Sequence, residues 1–290
     1  MTWDIEDRTV VVTGGNSGIG QATATELVRR GANVTITVRD PDQGRRAAEH
    51  ITEQSGRAAS WKVLDLASFD SVREFVGSVI ADVGRVDVLI NNAGVYIGSR
   101  RATPGGHEWT MGVNHLGHFF LTCLLASDAA TRPSRIVSVA SDVHRHAKRD
   151  LDFADLSCPG HYRGTEAYAR SKLANILFTK ELARRLNGTE TTAFAVHPGL
   201  VATRIAQDGD SVFGSLAWKV GAHWMRRPSE GAVGPVFLAS EPGIEKHTGR
   251  YFADARPTDP SKAAANDAAA RQLWELSAAA VGCDLDLRRV

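Results

Sequence analysis

Thr9-Val10-Val11-Val12-Thr13-Gly14-Gly15-Asn16-Ser17-Gly18-Ile19-Gly20 decides the fold. The β-branched run reads as a strand and the glycines as a turn. Ala22, Ala24, Leu27 and Val28 then fall at helix-period apolar positions. Strand, glycine turn and helix in that order are the setting a dinucleotide-binding fold requires. Gly14 permits the tight turn, Gly18 lets a pyrophosphate approach the backbone, and Gly20 lets helix and strand pack closely. Asn16, Ser17 and Ile19 complete the loop. Freed N–H groups at the helix start, with the macrodipole, favour an anion there. The spacing is G-x-x-x-G-x-G, and the competing reading is an ordinary glycine-rich βα turn.

Outward from this stretch, apolar β-rich runs alternate with helix-period segments. Expected strands are 9–13, 34–38, 59–63, 86–90, 135–139, 192–196 and a short one at Tyr251-Phe252; expected helices include 18–30, 42–55, 68–83, 166–186 and 261–281. The alternation predicts an α/β fold, a doubly wound parallel sheet covered by helices on both faces. No repeat or Pro/Gly linker interrupts the 290 residues, so one domain over 1–290 is expected. The stretch 207–227 mixes Phe213, Leu216, Trp218, Trp224 and Met225 with small and polar residues. It reads as a substrate lid, a core helix or a membrane-surface helix.

Hydrophobic content of 43% and charged content of 23% are ordinary for a globular protein, and a net charge of +1 gives no pull toward nucleic acid or an anionic membrane. Cys123, Cys158 and Cys283 are scattered without metal-ligand spacing. Met1 to Asp7 carries no apolar signal region, and no apolar run is long enough to span a bilayer. A reducing, cytoplasmic setting with no integral membrane segment is expected.

Tyr168 and Lys172 stand four residues apart in Tyr-Ala-Arg-Ser-Lys. On a helix that spacing stacks both side chains on one face, about 6 Å apart along the axis. A free phenol titrates near pH ~10, and an adjacent ammonium favours its phenolate, which makes the pair a candidate proton donor near neutral pH.

With the glycine turn, these residues resemble the short-chain dehydrogenase/reductase family, and the resemblance covers nearly the whole chain. Asn91-Asn92-Ala93-Gly94, Asn114 in Val-Asn-His-Leu-Gly-His-Phe, Ser141 at the end of Ile136-Val-Ser-Val-Ala-Ser, and Pro198-Gly199 follow in the family's order. The histidine-bearing stretches are most similar to the retinol-dehydrogenase-like branch; His144 stands where that branch has its histidine, and Ala140 replaces the first of its usual two serines. The resemblance implies a Rossmann fold and an oxidoreductase that moves hydride between a nicotinamide and a small-molecule carbonyl or alcohol. It makes Tyr168 the general acid or base, Lys172 its tuning cation and ribose contact, Ser141 the holder of the substrate oxygen, and Asn114 the anchor of a water that links Lys172 to solvent. It also implies adenine contacts at Asp65 and Leu66, ribose-side contacts at Asn92 and Gly94, and nicotinamide contacts at Pro198, Val201 and Thr203. The resemblance also implies a homodimer or homotetramer, since relatives often dimerise through the helix that carries Tyr168. A dinucleotide-binding sensor without turnover is the alternative from another class.

Cofactor choice turns on Val38-Arg39-Asp40 at the end of the second strand. A carboxylate there would accept from the 2′-hydroxyl of NAD(H), whereas a guanidinium can pair with a 2′-phosphate. Arg39 favours NADP(H), and Asp40 is the argument for NAD(H). The loop after Ser141 holds His144, Arg145, His146, Lys148 and Arg149. It is expected to be a solvated basic loop, with His144 at the substrate mouth as the sharper reading.

Overall fold

The computed structural model describes residues 3–147, 156, 162–201 and 226–283. The first half of the sheet is built from β1 (Thr9–Thr13), α1 (Gly18–Arg29), β2 (Asn33–Val38), α2 (Pro41–Ser55), β3 (Ser60–Val63), α3 (Phe69–Val83) and β4 (Val88–Asn91). A helical run follows, from α4 (Trp109–Met111) through a π-turn at Gly112–Leu116 into α5 (Gly117–Ala126). Then come β5 (Arg135–Val139), a 3₁₀ turn at Asp142–His146, α6 (Gly164–Arg185) and β6 (Thr192–His197). The chain closes with α7 (Pro228–Gly231), α8 (Val233–Ser240), β7 (Tyr251–Ala253), β8 (Arg256–Pro257) and α9 (Asp267–Val281).

The eight strands form one sheet in the order β3-β2-β1-β4-β5-β6-β7-β8. All pairings from β3 to β7 are parallel, and β8 adds to β7 antiparallel. The expected parallel sheet therefore gains a short antiparallel edge. The strand order reverses between β1 and β4, which opens a crevice at the carboxyl ends of the strands, where ligands bind in such sheets.

β1 explains why both faces are covered. Side chains alternate across a strand, so Val10 and Val12 face one layer and Val11 the other, and all three are fully buried. Val10 and Val12 pack with Leu27 of α1, Ile51 of α2 and Leu238 of α8. Val11 packs with Phe75 of α3, Phe119 of α5, Phe178 of α6 and Trp274 of α9. A run apolar on both faces is what central parallel strands require.

Most of 207–227 lies outside the described residues. At its end, Arg226 bridges to Val201 and Arg227 precedes α7.

Candidate active site

A cleft of about 840 Å³ opens at the carboxyl ends of the strands. Gly14, Asn16, Ser17, Gly18, Ile19, Gly20, Arg39, Asp65, Leu66, Asn92, Gly94, Ser141, Tyr168, Lys172, Pro198 and Val201 all line it. Asn114 sits behind its wall, and Thr203 lies outside the described residues.

One end is the glycine turn. Gly14 has φ +65°, a left-handed conformation that side-chain-bearing residues rarely adopt, and a Cβ on Gly20 would come within 2.4 Å of the Gly14 carbonyl. Ser17 begins α1 without a side-chain cap, and the first turn holds no acidic residue. By contrast α2, α3 and α9 are capped by Asp40, Ser68 and Asn266. The first-turn N–H groups of α1 are thus left for an anion at the cleft, so a dinucleotide's pyrophosphate fits here.

Asn92 ties the sheet centre to this turn. Its Nδ2 donates to the carbonyls of Thr13 (2.8 Å) and Gly14 (3.4 Å), so its side chain braces the loop. Thr13 is a hub that sequence reasoning missed. Its hydroxyl oxygen accepts from the backbone N–H groups of Asn92 and Ala93, both at 2.9 Å, and lies 2.9 Å from His118 Nε2. Nδ1 of His118 lies 3.1 Å from the Asn114 carbonyl. These partners assign the tautomer: Nδ1–H donates to Asn114 and Nε2 accepts from Thr13. The Asn-His-Leu-Gly-His-Phe stretch held the signal, since His118 is one helical turn beyond Asn114. Burial pushes His118 down to about 4 and its neighbour His115 to about 3, so both are neutral.

At the end of β2, Arg39 and Asp40 divide. Asp40 caps α2: its Oδ1 accepts from the N–H groups of Asp42 (2.8 Å) and Gln43 (3.4 Å), and its Oδ2 from Gln43 Nε2 (3.2 Å). These bonds hold its carboxyl below the usual range, the Asp42 N–H contributing most. The Gln43 amide oxygen in turn accepts from Asn16 of the glycine turn at 2.9 Å. Arg39 is exposed on the cleft wall.

Across the cleft, α6 presents Tyr168 and Lys172 on one face as the spacing predicts. Lys172 is buried, its Nζ lies 5.5 Å from the centre of the Tyr168 ring, and it donates to the Val139 carbonyl at 3.1 Å. Burial pushes Lys172 down to about 8 and Tyr168 up to about 12. The expected lowering of the phenol by its neighbour is therefore outweighed here by desolvation. Ser141 sits at the mouth of the 3₁₀ turn, where its Oγ accepts from the Val143 N–H at 3.3 Å.

The amide of Asn114 is spent on structure. Its Nδ2 donates to the Val95 carbonyl and Ser171 Oγ, both at 3.0 Å, and its Oδ1 accepts from the Val95 N–H at 2.7 Å. Ser171 passes the chain to the Tyr168 carbonyl at 2.8 Å. Asn114 thus fixes the Gly94-Val95 loop against the helix of Tyr168 and Lys172. It lies in the π-turn, a distortion frequent at functional sites.

His144 fits neither expectation. It is fully buried, does not line the cleft, and its ring packs edge-on against Tyr251 at 5.2 Å. Lys148 and Arg149 lie outside the described residues. Among the described residues no cluster of His, Cys, Asp or Glu is placed to hold a metal, and no helix is long and apolar enough to cross a membrane.

The short chain dehydrogenase family model matches residues 8–150. Human retinol dehydrogenase 14 is 40% identical over 296 residues, covering 95% of this chain and 86% of its own length. Human retinol dehydrogenase 12 is 39% identical over 277 residues with the same coverage. A crystal structure of an uncharacterized protein from Mycobacterium Paratuberculosis matches with a TM-score of 0.79 and 34% identity, over 98% of this chain and 97% of that one. Pseudomonas aeruginosa RhlG in its active-site complex with NADP matches with a TM-score of 0.67 and 25% identity, over 87% and 96%. The chain belongs to the short-chain dehydrogenase/reductase family, in its retinol-dehydrogenase-like branch. It is an oxidoreductase acting on CH–OH or C=O groups, which leaves the silent sensor unfavoured.

Proposed function

We propose that the protein is an NADP(H)-dependent oxidoreductase that interconverts a lipophilic carbonyl compound and its alcohol. One observation carries the cofactor preference: Arg39 and Asp40 both line the cleft, but the Asp40 carboxylate, which would read a 2′-hydroxyl, is engaged by Asp42 and Gln43 as the cap of α2, whereas the Arg39 guanidinium is exposed on the cleft wall. A guanidinium there pairs with a 2′-phosphate by charge-assisted bonds. The glycine turn and the first turn of α1 would hold the pyrophosphate, Asp65 and Leu66 the adenine, and Asn92 and Gly94 the adenosine ribose. Tyr168 and Lys172 would hold the nicotinamide ribose, and Pro198, Val201 and Thr203 the nicotinamide amide. When bound, the nicotinamide supplies or accepts the hydride.

In reduction, the Tyr168 hydroxyl gives its proton to the substrate oxygen, and in oxidation the phenolate takes it back. The Ser141 hydroxyl holds the same oxygen and stabilises the charge that develops on it. Lys172 favours the phenolate once protonated, and Asn114 keeps the Gly94-Val95 loop registered beside it. Val143, Tyr96 and the 69% exposed Leu200 line the cleft, and the Tyr96 ring meets that of Tyr168 edge-on at 6.0 Å. Apolar lining suits an apolar substrate, and the relatives named as retinol dehydrogenases act on such a substrate by name.

The test is a panel of aliphatic, aromatic and polyene aldehydes, ketones and alcohols, followed by nicotinamide absorbance with NADPH, NADH and their oxidised forms. Turnover that favours NADP(H) and grows with substrate chain length supports the reading. Turnover confined to NAD(H), or to short polar substrates, overturns it.

A further inference from the structure

Ser141 does not hold its position alone. Its carbonyl accepts from the His144 N–H at 3.1 Å and faces His144 Nδ1 at 2.7 Å. On the other side of the same ring, Nε2 accepts from the backbone N–H of Ser261 at 3.0 Å. The imidazole therefore joins the serine turn to the segment that leads into α9, 117 residues away in sequence. Both ring nitrogens are assigned by their partners: Nδ1 carries the proton and Nε2 offers a lone pair. Tyr251 closes one face of the ring from β7. A second strap runs parallel, since Arg145 donates to the Asp259 carbonyl at 2.9 Å and to Asp142 Oδ1 at 2.6 Å.

We propose that His144 is a positioning residue, whose imidazole clamps the backbone of Ser141 to the 259–261 segment and so fixes where the serine hydroxyl meets the substrate oxygen. The inference rests on the reading of Ser141 given above. It concerns the serine's placement rather than the cofactor groove, because His144 does not line the cleft.

The clamp has a polarity that a merely space-filling ring lacks. Protonation would set an Nε2–H against the Ser261 N–H, two donors facing each other. Burial already lowers the titration of His144 from 6.5. The charged or titratable groups that face it are Asp142 and Arg145 on its own turn, His197 on β6 and Tyr251 on β7. Of these, His197 is the competing titrant, since its Nδ1 accepts from the Asp142 N–H at 3.2 Å.

The test compares His144→Phe, which keeps the ring contact but not the bridge, with His144→Gln, which offers one donor and one acceptor and cannot protonate. Both are measured by NADPH fluorescence titration, by turnover on the best carbonyl of the panel from pH 5 to 8, and by amide exchange at Ser261. In the wild type the ring nitrogens are read by side-chain nitrogen NMR. Expected for His144→Phe are a kcat lower by tenfold or more, an NADPH affinity within twofold of wild type, and lost protection at Ser261. Expected for His144→Gln are kcat within about threefold of wild type and loss of the acid limb of the wild-type profile. An unchanged kcat in His144→Phe, or an acid limb that persists when His144→Gln is combined with His197→Gln, overturns the proposal. If no carbonyl turns over, it is the Proposed function that fails, and the clamp is then judged by NMR. A neutral Nδ1–H ring with Ser261 protection that the Phe variant loses supports the clamp; an imidazolium at pH 7 or an unprotected Ser261 contradicts it.

Discussion

The ammonium of Lys172 stands 5.5 Å from the centre of the Tyr168 ring and is bonded to the Val139 carbonyl, which also accepts from Asn175 Nδ2 at 3.3 Å. The lysine is held as part of the sheet's end, at a cost in solvation that lowers it from 10.5 to about 8. The native state thus binds its proton less tightly than the unfolded chain does, and wild-type stability rises as pH climbs from about 8 to 10.5.

Replacement of this lysine should consequently stabilise the fold while it removes activity. Lys172→Met leaves the Val139 carbonyl its bond from Asn175 and ends the burial of a charge. Urea unfolding at pH 7 is expected to show a gain of about 2 kcal/mol, which fades toward pH 10.5, with kcat down by about 100-fold or more. Equal stability of the two proteins at pH 7 would mean that Lys172 is not desolvated.

Arg39→Ala should weaken NADPH binding by about tenfold or more and change NADH binding by less than about threefold, because only the former has a 2′-phosphate to lose. Asp40→Ala should lower the melting temperature through the lost cap of α2 without raising the preference for NADPH. Fluorescence titration with both cofactors and a thermal melt check the pair. Equal losses for both cofactors in Arg39→Ala would remove the specificity assignment.

His115 and His118 are buried and neutral, with folded values near 3 and 4 against an ordinary 6.5. A lowered value means that stability is complete above about pH 6.5 and is lost as pH falls from there toward the folded values. Each histidine should cost about 2 kcal/mol by pH 5. Urea midpoints from pH 7 to 4.5 check this, and His118→Gln should flatten the slope in that window. A flat wild-type profile would contradict neutral burial.

Much of the fold was legible because β1, β5 and β6 are apolar on both faces and are bounded by turns. The expected spans 9–13 and 135–139 coincide with β1 and β5. β8 was not legible: two exposed residues, one of them proline, carry no periodicity. On the cleft wall, the glycine turn, Arg39 and the four-residue step from Tyr168 to Lys172 were readable from local pattern, whereas Asp65, Leu66, Asn92, Gly94, Ser141, Pro198 and Val201 were readable only through the family resemblance. What escaped depends on partners distant in sequence. Asn114 meets Ser171 across 57 residues and Thr13 meets His118 across 105. Asp40 is the exception: a carboxylate immediately before Pro41 and Asp42 is a helix-start signature, and it could have settled the cap from sequence.

Catalysis as proposed turns on delivery of a proton from the Tyr168 hydroxyl to the substrate oxygen. Single-turnover oxidation of bound NADPH by the best aldehyde of the panel, in wild type and Tyr168→Phe, tests it most directly. The chemical step in Tyr168→Phe is expected to slow by about 1,000-fold or more, with NADPH affinity within twofold of wild type. A Phe variant that turns over within tenfold of the wild-type rate would contradict it.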